Sequence, residues 1–251
     1  MAKDISTTTI ALVTGANKGI GRAIAIQLAK DHGYTVIIGS RQLSAGEALA
    51  FELKSQGYDA TSLQLDLTSD ESIANAVTTI EQQYGRLDVL INNAGIFLDS
   101  TTPDAPALPT RELFERTFAT NIIGVACLTD ALVPLLRKAH GKPRIVFVST
   151  SMSSLTNATN KGTIYYNING TAYDSSKTAL NMLALNYVRL LEDVGGRINI
   201  ACPGLVATDM TGHTSFGTTP EEGAEHIVGL ATAGEEGQNG TFSGKQGPIP
   251  W

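Results

Sequence analysis

Three groups of residues in this chain have the types and spacing for chemistry. The first is the turn Thr14-Gly15-Ala16-Asn17-Lys18-Gly19-Ile20-Gly21. Glycines there permit a sharp turn, let the backbone approach a pyrophosphate, and let a following helix pack closely with its N-terminus toward the phosphates. The spacing, T-G-x-x-x-G-x-G, differs from the plain G-x-G-x-x-G fingerprint, and on the motif alone a simple glycine-rich turn is the alternative. The second group is Gly39-Ser40-Arg41, at the end of an apolar run. A dinucleotide site that reads a free ribose 2′-hydroxyl places Asp or Glu at such a position. Here the Arg41 guanidinium can grip a 2′-phosphate, Ser40 can hydrogen-bond to it without repulsion, and Lys18 can add a second positive charge. The plainer reading of Arg41 is a surface cation. The third group is Tyr173 and Lys177, four residues apart and so on one face of a helix. A phenol ionises near pH ~10, and a neighbouring ammonium favours the phenolate. Such a tyrosine can give a proton to a developing alkoxide or take one from an alcohol. Without context, the same pair is commonly a helix-surface contact.

Such groups need rigid elements to hold them, and apolar runs alternate with amphipathic stretches from end to end. Residues 9–13, 35–38, 61–65, 87–91, 144–148 and 197–201 read as buried strands, with a short last one near 240–243. Between them, Ile20, Ile24 and Leu28 share a helical face. Ser44-Ala45-Gly46-Glu47 and Thr68-Ser69-Asp70-Glu71 are capping-box signatures that would open two further helices. A helix over 110–136 is expected to bend or end at Pro134, and another spans 173–191. Thr219-Pro220-Glu221-Glu222 reads as a cap with proline at the first helical position. This alternation predicts an α/β fold: a doubly wound parallel sheet (Rossmann fold) covered by helices on both faces, as a single domain over 1–251. The stretches 96–109, 151–171 and 205–219 are too long or too polar for simple turns. All three follow predicted strands, at the ends where open α/β sheets bind ligands, so the active site is expected among them.

Composition narrows the partners. The 251 residues carry a formal net charge of −6 and no basic stripe, which argues against nucleic acid. Hydrophobic residues make up 42%, enough for a sizeable core and against wholesale disorder. No apolar run approaches the ~20 residues of a membrane span, and Met1-Ala2-Lys3-Asp4-Ile5-Ser6 lacks the apolar stretch of a secretion signal. With Cys127 and Cys202 the only cysteines, no disulfide framework is expected and a reducing cytoplasm is the expected location. His32, His140, His213 and His226 are dispersed without ligand spacing, so no metal is expected.

The turn 14–21, Asn92-Asn93-Ala94-Gly95, Tyr173-Asp174-Ser175-Ser176-Lys177 and Pro203-Gly204 stand in this order along the chain. The ordered set resembles the short-chain dehydrogenase/reductase family, in its short single-domain branch, over residues 10–244. The resemblance implies the following roles. Gly15, Asn17, Lys18, Gly19 and Ile20 form the cofactor turn, with Ser40 and Arg41 beyond the second strand. Asp66 contacts the adenine, with Leu67 beside it. Asn93, Ala94 and Gly95 belong to the segment, begun by Asn92, that steadies the sheet and passes under the cofactor. Asn121 holds a water in the proton relay. Tyr173 and Lys177 are the catalytic pair, Lys177 also binding the nicotinamide ribose, and Pro203, Gly204, Val206 and Thr208 cradle the nicotinamide end. The family usually carries a serine as the second hydroxyl residue after the fifth strand. Aligning 145–149 with that pattern puts Thr150 there, with Ser149 and Ser151 as alternatives.

The implied activity is hydride transfer from NADPH to the carbonyl of a small ketone or aldehyde, reversible as alcohol oxidation, with Tyr173 as general acid/base. The expected cofactor is NADP(H). A non-catalytic NADP(H)-binding sensor or scaffold on the same fold is the alternative, and an intact Asn121, Thr150, Tyr173 and Lys177 set argues against it. A nucleotide-sugar epimerase would need a longer C-terminal part. The length of 150–173 and the ending Ile249-Pro250-Trp251 are similar to the carbonyl-reductase and menthone-reductase side of the family. In parts of that group a longer insertion discourages the usual helix-bundle dimer. With the shorter one here a homo-oligomer, dimer or tetramer, is expected over a monomer. Phe97, Leu98, Met152, Leu155, Tyr166, Met210 and Phe216 are candidate walls for an apolar substrate, and 211–219 has the composition of a lid.

Overall fold

Apolar runs too short for a stable helix, flanked by turn residues, can bury their backbone polar groups only by pairing side by side. The computed structural model, which describes residues 8–99, 107–234 and 236–251, shows that outcome. In chain order the regular elements are β1 (Ile10–Thr14), α1 (Gly19–His32), β2 (Thr35–Ser40), α2 (Leu43–Ser55), β3 (Ala60–Gln64), α3 (Asp70–Tyr84), β4 (Val89–Asn92), α4 (Thr110–Phe118), a π-helical turn (Ala119–Gly124), α5 (Val125–Leu136), β5 (Arg144–Val148), α6 (Leu155–Ala158), α7 (Thr171–Leu190), β6 (Arg197–Cys202), α8 (Pro220–Thr232), β7 (Phe242–Gly244) and β8 (Gly247–Pro248). The strands form one sheet in the order β3-β2-β1-β4-β5-β6-β7-β8, parallel except for β8. The direction of winding reverses between β1 and β4, where Ala11 pairs with Val36 on one side and Val89 on the other.

Alternate residues of β1 feed the two faces. Leu12 joins Ile37, Ile73, Leu128 and Leu180 under α3, α5 and α7, while Val13 joins Ile38, Ile24, Leu28 and Ile227 under α1 and α8. The doubly wound sheet expected from the sequence is therefore present. The stretches 151–171 and 205–219 leave the carboxyl ends of β5 and β6, beside the start of the loop after β4. Residues 100–106 of that loop lie outside the described residues.

Local departures have local causes. α2 begins at Leu43 with no side-chain cap, so Ser44 is already inside the helix and its capping box does not form. The cap of α3 is Ser69, whose hydroxyl accepts from Ser72 N–H, while Thr68 donates its hydroxyl to Asp66. The Thr219–Glu222 capping box forms as expected, with Pro220 opening α8. Pro134 neither bends nor ends its helix as expected: α5 runs two residues past it to Leu136, while the irregularity lies upstream, in the π-helical turn. The whole stretch Thr110–Leu136, 27 residues, is long and apolar enough to cross a bilayer, contrary to the expectation that no stretch would be. Here Leu128, Leu132, Leu135 and Leu136 bury themselves in the core. The short strand expected near 240–243 is β7, Phe242–Gly244, and β8 follows and pairs with it on the outside, covering a sheet edge that would otherwise be open.

Candidate active site

The glycine turn is held from below by the end of β4. Thr14 Oγ1 accepts hydrogen bonds from Asn93 N–H (3.0 Å) and Ala94 N–H (2.9 Å), and Asn93 Nδ2 donates to the carbonyl of Thr14 (2.9 Å). Gly15 adopts φ +64°. A β-carbon on Gly21 would lie 2.4 Å from the carbonyl oxygen of Gly15, so only glycine lets α1 seat this close. Lys18 at the start of α1 provides no side-chain cap, and no acidic residue stands in the first turn. The helix therefore presents uncapped N–H groups and an unopposed dipole to the turn, a donor set that fits a pyrophosphate.

At the end of β2, Arg41 is exposed, and its charge, behind the hydrogen bonds from Thr68, helps hold Asp66 below the usual carboxylate range. Arg41 and Asp66 thus share one corner of the cleft. Ser40 is buried and its hydroxyl donates to the carbonyl of Gln42 (2.9 Å). Lys18 does not reach toward Arg41. Its ammonium pairs with Asp209 (2.5 Å), which also bonds His213 (2.8 Å), and this joins the glycine turn to the stretch 205–219. Val206 bridges to Thr218 at the base of that stretch, and Thr208 lies against Gly19. Leu67 is buried where Gly124 of the π-helical turn passes over it; a β-carbon on Gly124 would lie 2.0 Å from the carbonyl oxygen of Leu67.

The π-helical turn rotates Asn121 fully into the interior. Asn121 Oδ1 accepts from Ile96 N–H (2.9 Å), and its Nδ2 donates to the carbonyl of Ile96 (2.9 Å) and to Ser176 Oγ (3.0 Å). Asn121 thereby ties the segment after β4 to α7. Gly95 fits between Asn121 and Lys177: a β-carbon there would lie 3.3 Å from Asn121 Oδ1 and from Lys177 Nζ. Lys177 is buried, donates to the carbonyl of Val148 (2.9 Å), and sits 5.8 Å from the centre of the Tyr173 ring. Phe97 meets that ring edge-on at 4.8 Å.

Asp99, which the sequence did not flag, accepts from Ala172 N–H (2.8 Å) and Tyr173 N–H (3.1 Å) and so caps α7 from a distant loop. Thr150 Oγ1 accepts from Met152 N–H (3.2 Å) at the mouth of the 151–171 stretch. Ser149 is buried and donates to Asn181 (2.7 Å), which places it in the packing behind the site. Pro203 and Gly204, with φ +79° at Gly204, follow Cys202, whose Sγ accepts from Ser151 and Gly204 N–H groups.

The electrostatics differ from the sequence expectation. The nearby ammonium does not lower the phenol of Tyr173; burial, with the charges of Cys202 and Asp174, pushes it above its ordinary value. In a low-dielectric interior the desolvation of a phenolate outweighs a cation this far from the ring. Burial also brings Lys177 down to about 8. Because this value is below that of an unfolded lysine, folding is disfavoured by burying the charge at pH below 8, and the penalty is relieved as pH rises from 8 toward 10.5. Lys177→Met is therefore expected to melt several degrees above the wild type at pH 7, with the gap narrowing toward pH 10. The shift corresponds to roughly 3 kcal/mol, less about 1 kcal/mol for the hydrogen bond to Val148. Scanning calorimetry across that pH range reads it; a variant less stable at every pH contradicts it.

Of the candidate walls, Phe97 touches Tyr173, and Met152 and Tyr166 line a cavity that Asp174 also borders. Leu155 and Phe216 are 68% and 90% exposed, so they stand outside any enclosed wall, and Met210 is also exposed. Tyr165, Ile164 and Ile168, which the sequence reading missed, line the cavity instead. Among the described residues no cluster of His, Cys, Asp or Glu is arranged to hold a metal.

A glycine turn at the switch point of a doubly wound sheet, with a Tyr-x-x-x-Lys pair across the same cleft, defines an α/β dinucleotide-binding protein. The sequence model of the family described as short chain dehydrogenase matches residues 9–217. Short-chain dehydrogenase/reductase ATR10 of Stachybotrys chlorohalonatus is 34% identical over 96% of this chain and 90% of its own length. Carbonyl reductase [NADPH] 1 of Bos taurus is 31% identical over 98% of this chain and 99% of its own. The structure of salutaridine reductase from Papaver somniferum superposes with a TM-score of 0.79 at 29% identity, covering 93% of this chain and 99% of that one. The chain belongs to the short-chain dehydrogenase/reductase family of oxidoreductases, whose members bind nicotinamide dinucleotides.

Proposed function

We propose that this protein is an NADPH-dependent carbonyl reductase that acts on small ketones or aldehydes and, in reverse, on the corresponding alcohols. The observation that carries the reading is the Tyr173–Lys177 pair on α7, with Lys177 buried against Gly95, which Asn121 also flanks, at the carboxyl ends of the strands that also hold the glycine turn. When bound, the reduced nicotinamide supplies the hydride. Tyr173, kept neutral by burial, is in the acid form that protonating a developing alkoxide requires. Lys177 remains charged at pH 7 and stabilises the phenolate left behind. Asn121, through Ser176 and Ile96, keeps α7 in register with the floor of the cleft. Thr150 is the second hydroxyl, donating to the substrate oxygen. Its partial exposure, next to Ser151 and Met152 of the cavity wall, favours it over Ser149, which is committed to Asn181. Arg41 and Lys18 are the candidate partners of the 2′-phosphate, and the carbonyl reductases [NADPH] among the relatives support that preference.

The Thr150 assignment has a direct comparison. Thr150→Ala is expected to lower kcat by about a hundredfold with little change in melting temperature. Ser149→Ala is expected to lower stability by about 1–3 kcal/mol, because it leaves the buried Asn181 Oδ1 without its donor, and to affect kcat less. The reverse pattern reassigns the hydroxyl. Exposed Ile123, Met182 and Leu190 on adjoining helices support self-association as a dimer or tetramer. The cytoplasmic location expected from the sequence is part of the same proposal. The function is tested with a panel of aldehydes and ketones and NADPH, following loss of the reduced-nicotinamide absorbance. Turnover of several members supports the reading; NADPH binding without turnover of any supports a non-catalytic sensor.

A further inference from the structure

A cavity bordered by the residue that follows Tyr173 offers a place for the non-reacting part of a substrate, and it has a chemical character of its own. Asp174, with Met152, Ala158, Ile164, Tyr165 and Tyr166, borders a cavity of about 210 Å³. Its wall is apolar and aromatic apart from a few neutral polar groups and one carboxylate, and no lysine, arginine or histidine contributes to it.

Asp174 follows Tyr173 directly in the first turn of α7. An acidic residue there is favourable for the helix dipole, but that role is served as well by a solvated side chain. Asp174 is instead half-buried. Its Oδ1 is buried and has no hydrogen-bond partner. The carboxylate lies over Gly170, where a β-carbon would come within 2.9 Å of Oδ1 and 3.1 Å of Oδ2. Glycine at 170 thus leaves room for a group that gains nothing from its protein surroundings. Burial, with the charge of Asp99 behind it, raises this carboxyl to about 7. A half-buried carboxylate with one unsatisfied oxygen is unfavourable unless a donor meets it. Of the donors a small organic molecule can bring, a protonated amine compensates the buried charge most fully. The net charge of −6 also favours approach of a cation.

We propose that Asp174 is a specificity-determining residue that receives the protonated amine of an aminoketone substrate within this cavity. The inference rests on the reading of Tyr173 as the group that meets the substrate's carbonyl oxygen. It assigns the arm of the substrate rather than the reaction, and it predicts selection between ketones of identical shape.

The test uses two such ketones, 4-(dimethylaminomethyl)acetophenone, cationic at pH 7.5, and its neutral counterpart of the same shape, 4-isobutylacetophenone. Calorimetric titration gives the dissociation constant of each with the wild-type protein, with Asp174→Asn and with Gly170→Ala, in parallel with NADPH turnover. The wild type is expected to bind the amine about 10- to 100-fold more tightly than the isobutyl compound, the range for a hydrogen bond to a charged group. Asp174→Asn is expected to bring that ratio to one or below. Gly170→Ala, which displaces the carboxylate and leaves it in the chain, is expected to lower the ratio as well. A wild-type ratio of one or less, or a ratio unchanged in Asp174→Asn, overturns the proposal. A clear amine preference in binding with no NADPH-dependent reduction of either ketone overturns the carbonyl-reductase reading and leaves the Asp174 subsite standing.

Discussion

Tyr173→Phe is expected to bind NADPH as the wild type does and to lose turnover by about a thousandfold, within the 10²–10⁴ range of a positioned proton donor. The substitution removes one oxygen. The ring stays in its edge contact with Phe97, and α7 keeps its cap from Asp99, so the fold and the neighbouring Lys177 are undisturbed. What is lost is the neutral phenol that burial maintains. Without it the substrate oxygen must take its proton from water, which this enclosed corner admits poorly. Fluorescence titration of NADPH and single-turnover kinetics separate the two effects. Turnover within tenfold of wild type would remove Tyr173 from the chemistry. Loss of NADPH binding along with turnover would indicate a collapsed cleft instead.

Arg41→Asp is expected to reverse the cofactor preference. The guanidinium is exposed at the end of β2 and shares its corner with Asp66. A bidentate contact from arginine to a phosphate contributes about 1.5–3 kcal/mol, and a carboxylate in its place adds repulsion. The ratio of kcat/KM for NADPH over NADH should therefore fall by at least about a hundredfold. The same carboxylate can accept a hydrogen bond from a free 2′-hydroxyl, so NADH use should hold or improve. Lys18 is the weaker contributor, because Asp209 competes for its ammonium. Steady-state kinetics with both cofactors decide the matter. A wild type that already prefers NADH, or a variant with an unaltered ratio, contradicts the role of Arg41.

The parts of the site legible in the sequence are those encoded over a few consecutive residues. The turn 14–21 follows a run that can only be a buried strand. Tyr173 and Lys177 are read from a spacing of four, because a helix converts that spacing into a shared face. Alternation of such runs sufficed for the doubly wound sheet. What escaped was set by distant parts of the chain. Asp99 caps α7 across a separation of more than 70 residues, and no local pattern announces it. Asn121 was placed by family resemblance, but it sits in a π-helical turn and is held by hydrogen bonds to Ile96 and Ser176, 25 and 55 residues away in the chain. The capping box at Ser44 failed because α2 starts two residues earlier, with Gln42 at the cap position, and Gly46 lies against Ser62 and Ser40. The phenol of Tyr173 was misjudged in direction because spacing reports that a cation is near, not how dry the pair is.

The decisive measurement is a crystal structure of the protein with NADP(H) and a carbonyl or alcohol ligand. The account predicts Tyr173 Oη about 2.7 Å from the ligand oxygen, with the nicotinamide ring over the carbon that bears it and Lys177 beneath. A phenol directed away from that oxygen, or a dinucleotide seated outside the cleft formed by the glycine turn, would contradict it.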